Sequence, residues 1–478
     1  MKKIIWGIVL LLLSICIDIV VYQIYKPRVL TFRVEAFSSE NIQILVENEP
    51  VIKKGYWLSP ITLTTTRSVS VTIGKETQYV KIKRLSKITS VAIDIVFKDG
   101  IKRYFLQTLP TTFPEFSVKN SFYKKGYVFI SLHGLKLIDP SYSFILDMDG
   151  QIVYFRGHTK VKRSMFHLKK VILPDGKIRY ITHVQDGWGL DRSYVIGYHL
   201  IMDENFRELE RVKILRTSKH RALLADEHDI LMLDDGHYIV TGQKIEDIVL
   251  DNGKKILITH TIIQEQKNKQ VVFDWDSSDY PALQKVCYEK CPGLSEYSTD
   301  YIHVNSLFID PKDNNLLVSS ASGYYVMKLD RKTGKVLWIL GGKANQFQMP
   351  KEAEFIRQHH VQILPDSTLI MFDNHISSML TKEALYHNKF FVSKSAQILI
   401  LGIDEINKEV TSVRTIPLNF LADYMGSVQQ LEDGWFIGCG SSDECTARLI
   451  DLSGNVLWDM KAEEPYKMFR SYYYETLK

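Results

Sequence analysis

Apolar and polar residues alternate along most of this chain, and the alternation predicts strands almost throughout. Between residues 29 and 108 the segments VLTFRVEAF, NIQILV, ITLTTTRSVSVTIG, TQYVKIKR and TSVAIDIVF combine a period of two with many β-branched side chains. Short turn-rich breaks separate them, which is the pattern of consecutive strands in a small sheet domain. They predict an N-terminal β-sandwich over residues 29–114, closed by the Pro-rich stretch Leu109-Pro110-Thr111-Thr112-Phe113-Pro114.

From residue 115 a second pattern takes over. An apolar strand, an Asp-containing turn and another apolar strand recur as VILPDGKIRYIT, ILMLDDGHYIVTG, LFIDPKDNNLLVS, QILPDSTLIMFD and QQLEDGWFIGC. A glycine followed by a strand ending in an aromatic recurs beside it, as in Gly334-Lys335-Val336-Leu337-Trp338 and Gly454-Asn455-Val456-Leu457-Trp458. Repetition of short strands at this spacing predicts a propeller, in which radial packing protects the sheet edges. Six units start near residues 125, 165, 226, 301, 357 and 426. The expected fold is therefore all-β, with a six-bladed β-propeller over residues 115–478. The segments 276–300 and 376–395 read as loops inserted over one face.

The extreme N-terminus breaks the alternation. After Met1-Lys2-Lys3, residues 4–25 are almost all apolar, about the length a bilayer requires. No small-x-small cleavage site follows. Residues 1–28 are thus expected to be a transmembrane signal anchor, or a signal peptide, with the body outside the cytoplasm, periplasmic or at the cell surface. This segment is the only expected contact with a membrane.

Composition narrows the partners. A net charge of +5 is small against 60 basic and 55 acidic residues, and no dense Lys/Arg tract with interleaved aromatics occurs, which argues against nucleic acid. Of the five cysteines, Cys287/Cys291 and Cys439/Cys445 form two close pairs. Local disulfides, free thiols and a zinc site are the alternatives. The spacings suit zinc poorly, and an oxidising compartment favours disulfides.

Candidate chemistry lies in three of the repeats, each entered by a histidine: Glu227-His228-Asp229, Ile302-His303-Val304-Asn305-Ser306 and Gln358-His359-His360-Val361. The same corner of each blade would aim His228, His303 and His359 at one axis. Asn305 follows on the same face by strand alternation, and Asp373-Asn374 ends the next strand of the third repeat. Such a cluster suggests a metal site, nucleophilic catalysis by a neutral imidazole, or buried structural histidines. Alternation sends His359 and His360 to opposite faces, and His359 is the expected inward residue.

These motifs resemble the PAPS-independent arylsulfotransferases (aryl-sulfate sulfotransferases). The resemblance rests on His303-Val304-Asn305-Ser306 with Val318-Ser319-Ser320, Trp338-Ile339-Leu340-Gly341-Gly342, Gln358-His359, Phe372-Asp373-Asn374 and Met468-Phe469-Arg470-Ser471. It extends from about residue 30 to the end. It implies a six-bladed propeller, often behind a small β-sandwich. It also implies ping-pong transfer of sulfate from an aryl sulfate donor to a phenolic acceptor, with no nucleotide, cofactor or metal. His359 matches the histidine that is transiently sulfated. His228 and His303 match those that bind the sulfuryl oxygens and assist proton transfer, and Asn305 matches the accompanying asparagine.

One departure stands out: Ala321 follows Ser319-Ser320 where the family carries a sulfate-gripping arginine. Arg357 and Arg470 are the candidate replacements, and His183 and Asn374 are further candidate substrate ligands. The alternative reading is a catalytically impaired relative that binds a ligand or partner outside the cytoplasm.

Overall fold

The computed structural model describes residues 28–35, 37, 42–46, 49–50, 56–58, 66–73, 76–83, 91–108, 113–120, 125–134, 141–158, 164–188, 195–249, 253, 255–286, 298–375 and 395–477. The expected anchor over residues 4–25, Cys16 and the Cys287/Cys291 pair lie outside the described residues. Among the described residues no helix is long and apolar enough to cross a membrane. The chain divides into two compact units, residues 1–114 and 115–478.

The first unit contains two four-stranded sheets. In one, the strand Val91–Phe97 pairs with Arg28–Arg33 in parallel and with Gly100–Thr108 antiparallel. Alternate residues of these strands, Phe32, Ile93, Ile95 and Phe97, are buried, as period-two patterning requires.

Among its described residues, the second unit holds five sheets, of five, nine, four, four and five strands; the nine-stranded sheet divides into two successive groups, so that six groups can be followed along the chain. Their first strands are Tyr127–Gly134, Met165–Ile172, Ala225–Asp234, Val304–Ile309, His359–Ile363 and Ser427–Leu431. The first group is completed from the other end of the chain, by Tyr466–Met468 and Tyr472–Tyr474 lying against Tyr127–Gly134. The sixth is extended by Phe116–Asn120 lying against Val456–Ala462. Each end of the unit thus covers an edge that would otherwise stand open. The second and third groups are joined through Ile196 and Gly197, which pair with Asp226 and Ala225.

Alternation here buries both faces. Leu316 and Val318 pack toward the third group, with Ile239, Ile263 and Trp275. Leu317, between them, packs toward the fifth, with Val361, Leu369 and Leu399. Leu369 and Met371 face the fourth group, while Ile370 and Phe372 face the sixth, with Val428, Trp435 and Ile437. Such strands read as continuous apolar runs because neither face meets water. The first group meets the second through Phe129, Ile145, Tyr180 and Leu200. The sixth meets the first through the Phe436 and Tyr473 rings and the Trp458 Nε1–H bond to the Met148 carbonyl.

Cys439 and Cys445 form a disulfide with Cα atoms 5.9 Å apart, as the close pairing predicted. It closes a short loop between two strands of the sixth group.

Candidate active site

The first strands carry irregularities at one recurring place. Register shifts fall between Phe166 and Lys169, Ala225 and Ile230, Val304 and Ser306, and His359 and Gln362. His167, His303, Arg357 and His360 adopt positive φ at or just before these shifts, a conformation uncommon for residues with a Cβ. A bulge re-aims side chains and cancels simple alternation. His359 and His360 accordingly do not divide into one inward and one outward residue. His359 is buried against Asn374, and His360, partly exposed, has its Nδ1 2.8 Å from the Val428 carbonyl.

The three predicted histidines come together. The His228 and His303 rings meet edge to face, with centroids 4.8 Å apart. His359 is near enough for the charges of His228 and Arg470 to act on it. Phe469 closes one side, its ring 5.3 Å from His228 and 6.2 Å from His167.

Their hydrogen-bond partners differ in charge. His228 Nδ1 lies 2.6 Å from Asp226 Oδ1, and His303 Nδ1 lies 2.8 Å from Asp300 Oδ2. His359 Nδ1 has only neutral acceptors, Asn374 Oδ1 and the Arg357 carbonyl, both at 2.8 Å. The Asn374 amide donates to the Ala422 and Met425 carbonyls at 2.9 and 3.0 Å, which fixes which end faces the histidine. His359 therefore carries its proton on Nδ1. Its Nε2 accepts from the Met425 backbone N–H at 3.2 Å. Burial, reinforced by the charges of Arg470 and His228, outweighs those two bonds and holds the His359 imidazole down at about 3. His359 is thus a neutral imidazole with its basic nitrogen defined.

The remaining predicted residues have the following places. Asn305 donates from Nδ2 to the Gln358 carbonyl at 2.6 Å, bracing the peptide that precedes His359. Gln358 donates to Ser319 Oγ and to the Ser320 and Tyr325 carbonyls, tying the fourth group to the fifth. Asn374, expected to bind substrate, has its donors and its oxygen occupied and acts instead as the positioning partner of His359. Arg357 is partly exposed and gives its carbonyl to His359.

Arg470 is corrected as an anion-gripping residue. Its guanidinium is 1% exposed, donates to Asp229 Oδ2 at 3.0 Å and also bonds the Asn305 carbonyl. Lys169 reaches the other Asp229 oxygen at 2.9 Å, and the Leu307 N–H donates to Oδ2 at 3.1 Å. Arg470 is a cross-brace among first strands, because an unpaired buried guanidinium would be strongly unfavourable. His183 is likewise corrected. It is fully buried on the second strand of its group, with Nε2 3.4 Å from the Ala225 carbonyl, behind the site.

Sequence reasoning missed Asp226, Asp300, His167 and the Met425 N–H. Asp226 and Asp300 each precede their histidine by two or three residues, a spacing that could have drawn notice. Nothing local marks Met425, which reaches His359 from the next group.

A β-rich chain with a buried histidine site is a broad class, and comparison narrows it. The arylsulfotransferase (ASST) family model matches residues 111–448, and the chain belongs to that family. No curated protein matches it. Similar solved structures include a protein of unknown function from Bacteroides caccae, with TM-score 0.39 and 10% identity over 73% of this chain and 99% of that one. Another is the periplasmic gluconolactonase PpgL from Pseudomonas aeruginosa, with TM-score 0.36 and 11% identity over 73% and 99%.

Proposed function

We propose that this protein transfers a sulfuryl group from an aryl sulfate ester to a phenolic acceptor in two steps through sulfo-His359. The six groups are read as blades of a closed propeller behind a small N-terminal sandwich. The whole is held outside the cytoplasm by residues 4–25. The observation that carries the chemistry is the defined tautomer of His359, neutral and with Nε2 as its lone-pair nitrogen.

In the first step the Met425 N–H lets go of Nε2, and the freed lone pair attacks sulfur. The bond from sulfur to the aryl oxygen breaks, and its electrons leave with that oxygen, which takes a proton from an imidazolium at His228 or His303. Asn374 and the Arg357 carbonyl accept from Nδ1–H and stabilise the charge that Nε2 acquires. In the second step the acceptor phenol returns a proton to the same histidine, its oxygen attacks sulfur, and the S–N bond electrons return to Nε2.

Incubation with a chromogenic aryl sulfate and phenol tests the reading. Expected are phenol-dependent release of the chromophore and a sulfated His359 peptide after rapid quenching. Absence of both from wild-type protein would refute it.

A further inference from the structure

Behind the active site lies a second set of histidines that the proposed reaction does not use. His167, His183 and His199 stand on the first three strands of the second group, and each is 0% exposed. His183 and His199 are direct cross-strand partners, and their ring centroids are 5.1 Å apart. The His167 ring, re-aimed by the bulge at positive φ, comes within 5.4 Å of His199. Five of the six ring nitrogens have no hydrogen-bond partner among the described residues: both of His167, both of His199 and Nδ1 of His183. The sixth, His183 Nε2, is 3.4 Å from the Ala225 carbonyl. The Asp226 backbone acts on His199 only from outside ordinary hydrogen-bond geometry.

Buried polar groups are almost always satisfied, and an apolar side chain would cost less at each of these positions. Three rings that leave five nitrogens unmet point to a ligand. Water is a poor one, because rings with no exposure touch no water-sized space. A metal ion needs less room. It binds an imidazole lone pair directly at about 2.0–2.1 Å, and two rings sharing one ion then have centroids about 5 Å apart. That is the spacing of His199 to each of its neighbours. Burial favours the neutral form of all three rings, the form that ligates metal. Charge does not oppose an ion. Lys169 and Arg470, the cations that act on His167, are both held by Asp229, and Asp226 adds a second buried carboxylate that acts on His183.

We propose that His167, His183 and His199 bind one transition-metal ion of the zinc and copper class, which suits imidazole ligands. Rotation of each ring about its Cβ–Cγ bond selects the nitrogen it presents, and the Ala225 carbonyl stands beside His183 as an oxygen ligand. The ion ties three neighbouring strands together. It also backs Ala225 and Asp226, the start of the strand that carries His228. The inference does not rest on the sulfuryl-transfer reading.

The test uses full-length, tag-free protein dialysed against zinc, or against copper(I) kept reduced with ascorbate. Elemental analysis gives the metal content, and competition with a chelator gives the affinity. The other buried metal-ligating set among the described residues is Asp226, Glu227 and His228, so H228Q is the control. Wild type and H228Q should each hold about one ion per chain. H167Q and H199Q should lose more affinity than the roughly 10- to 100-fold that removing an outer partner of a ligand costs. Unweakened binding in H167Q and H199Q would overturn the proposal, and loss in H228Q would then assign the ion to the other set. Wild type that takes up neither metal overturns it outright. If neither glutamine variant folds, X-ray absorption of metal-loaded wild type and H228Q decides. Imidazole scattering that survives H228Q supports the proposal, and its loss there, or oxygen-only coordination, overturns it.

Discussion

The Nδ1 of His359 lies 2.8 Å from the Oδ1 of Asn374, and the Asn374 amide is locked in that orientation by two carbonyls, those of Ala422 and Met425. The same position beside His228 and His303 holds a carboxylate. A neutral partner leaves an imidazole free to act as a lone-pair donor, whereas a carboxylate favours its protonated form. N374D keeps the size of the side chain, places a carboxylate beside His359 and removes the two donors to the Ala422 and Met425 carbonyls. It should move the acid limb of the pH–rate profile upward, because the added negative charge raises the proton affinity of His359 and neutral imidazole then appears only at higher pH. N374A, which removes the acceptor, should cost about 10- to 100-fold in kcat without an upward shift. Parallel pH–rate profiles of the two variants check this, and identical profiles would count against the assigned role.

Neutral histidines, His183 and His359 buried and His133 and His360 partly so, make the second unit sensitive to acid. Burial, with the charge of Arg470, holds His360 down at about 3, as burial does for His359, and burial holds His133 and His183 down at about 4. An unfolded chain protonates these rings near their ordinary value of about 6.5. Between that value and the folded one, unfolding takes up protons, so stability rises with pH through the window and is lost as pH falls. Each such ring removes about 2 kcal/mol between pH 6.5 and pH 5, at 1.36 kcal/mol per unit. The urea midpoint should therefore fall clearly from pH 7 to pH 5, and H360Q should lessen the fall. Equal midpoints at the two pH values would contradict the burial of these rings as neutral species.

Asp229 anchors a different electrostatic feature. It holds Lys169 and Arg470 at 2.9 and 3.0 Å. Burial opposes its charge, but those two cations outweigh burial and keep its carboxyl well below the usual carboxylate range. D229N leaves two cations without their counter-ion in the interior and should destabilise by about 3–5 kcal/mol at pH 7. A depressed carboxyl contributes its stability above the unfolded value of about 3.9 and loses it as pH falls further. The gap between D229N and wild type should therefore narrow below about pH 4. Urea unfolding of both proteins at pH 7 and pH 3 measures it.

What was legible in the sequence follows from what is local. The strand–turn–strand repeats and the histidine entering three of them are visible because each is set within about 15 residues. The clustering of His228, His303 and His359 follows from those equivalent positions. The errors share one physical origin. A bulge adds a residue without changing the hydrophobic pattern, so alternation placed His359 and His360 on opposite faces. Arg470 looked like a free cation because its counter-ion, Asp229, lies 241 positions away in sequence. Asn374 was found as a site residue, but its role depends on the Ala422 and Met425 carbonyls, which the fold alone brings near.

The Cys439–Cys445 disulfide extends the site outward. The Ser441 N–H donates to the Tyr424 carbonyl and the Tyr424 N–H to Ser441 Oγ. Gly440, at φ +63, packs so closely on Tyr424, Met425 and Gly426 that a Cβ there would lie 2.8–2.9 Å from their backbone. The loop closed by the disulfide thus clasps the segment whose Met425 N–H reaches His359 Nε2. Opening a loop with a sequence separation of 6 should cost about 2 kcal/mol of stability by chain entropy. Releasing the clasp should also loosen the Met425 contact. The C439A/C445A double variant is expected to show a lower Tm together with a several-fold lower kcat for sulfuryl transfer. G440A, which keeps the disulfide but crowds the clasp, should lower kcat without the entropic part of the Tm loss. Comparing kcat and Tm for the two variants separates the local contact from general destabilisation. Unchanged turnover in both would show that the clasp does not support the nucleophile.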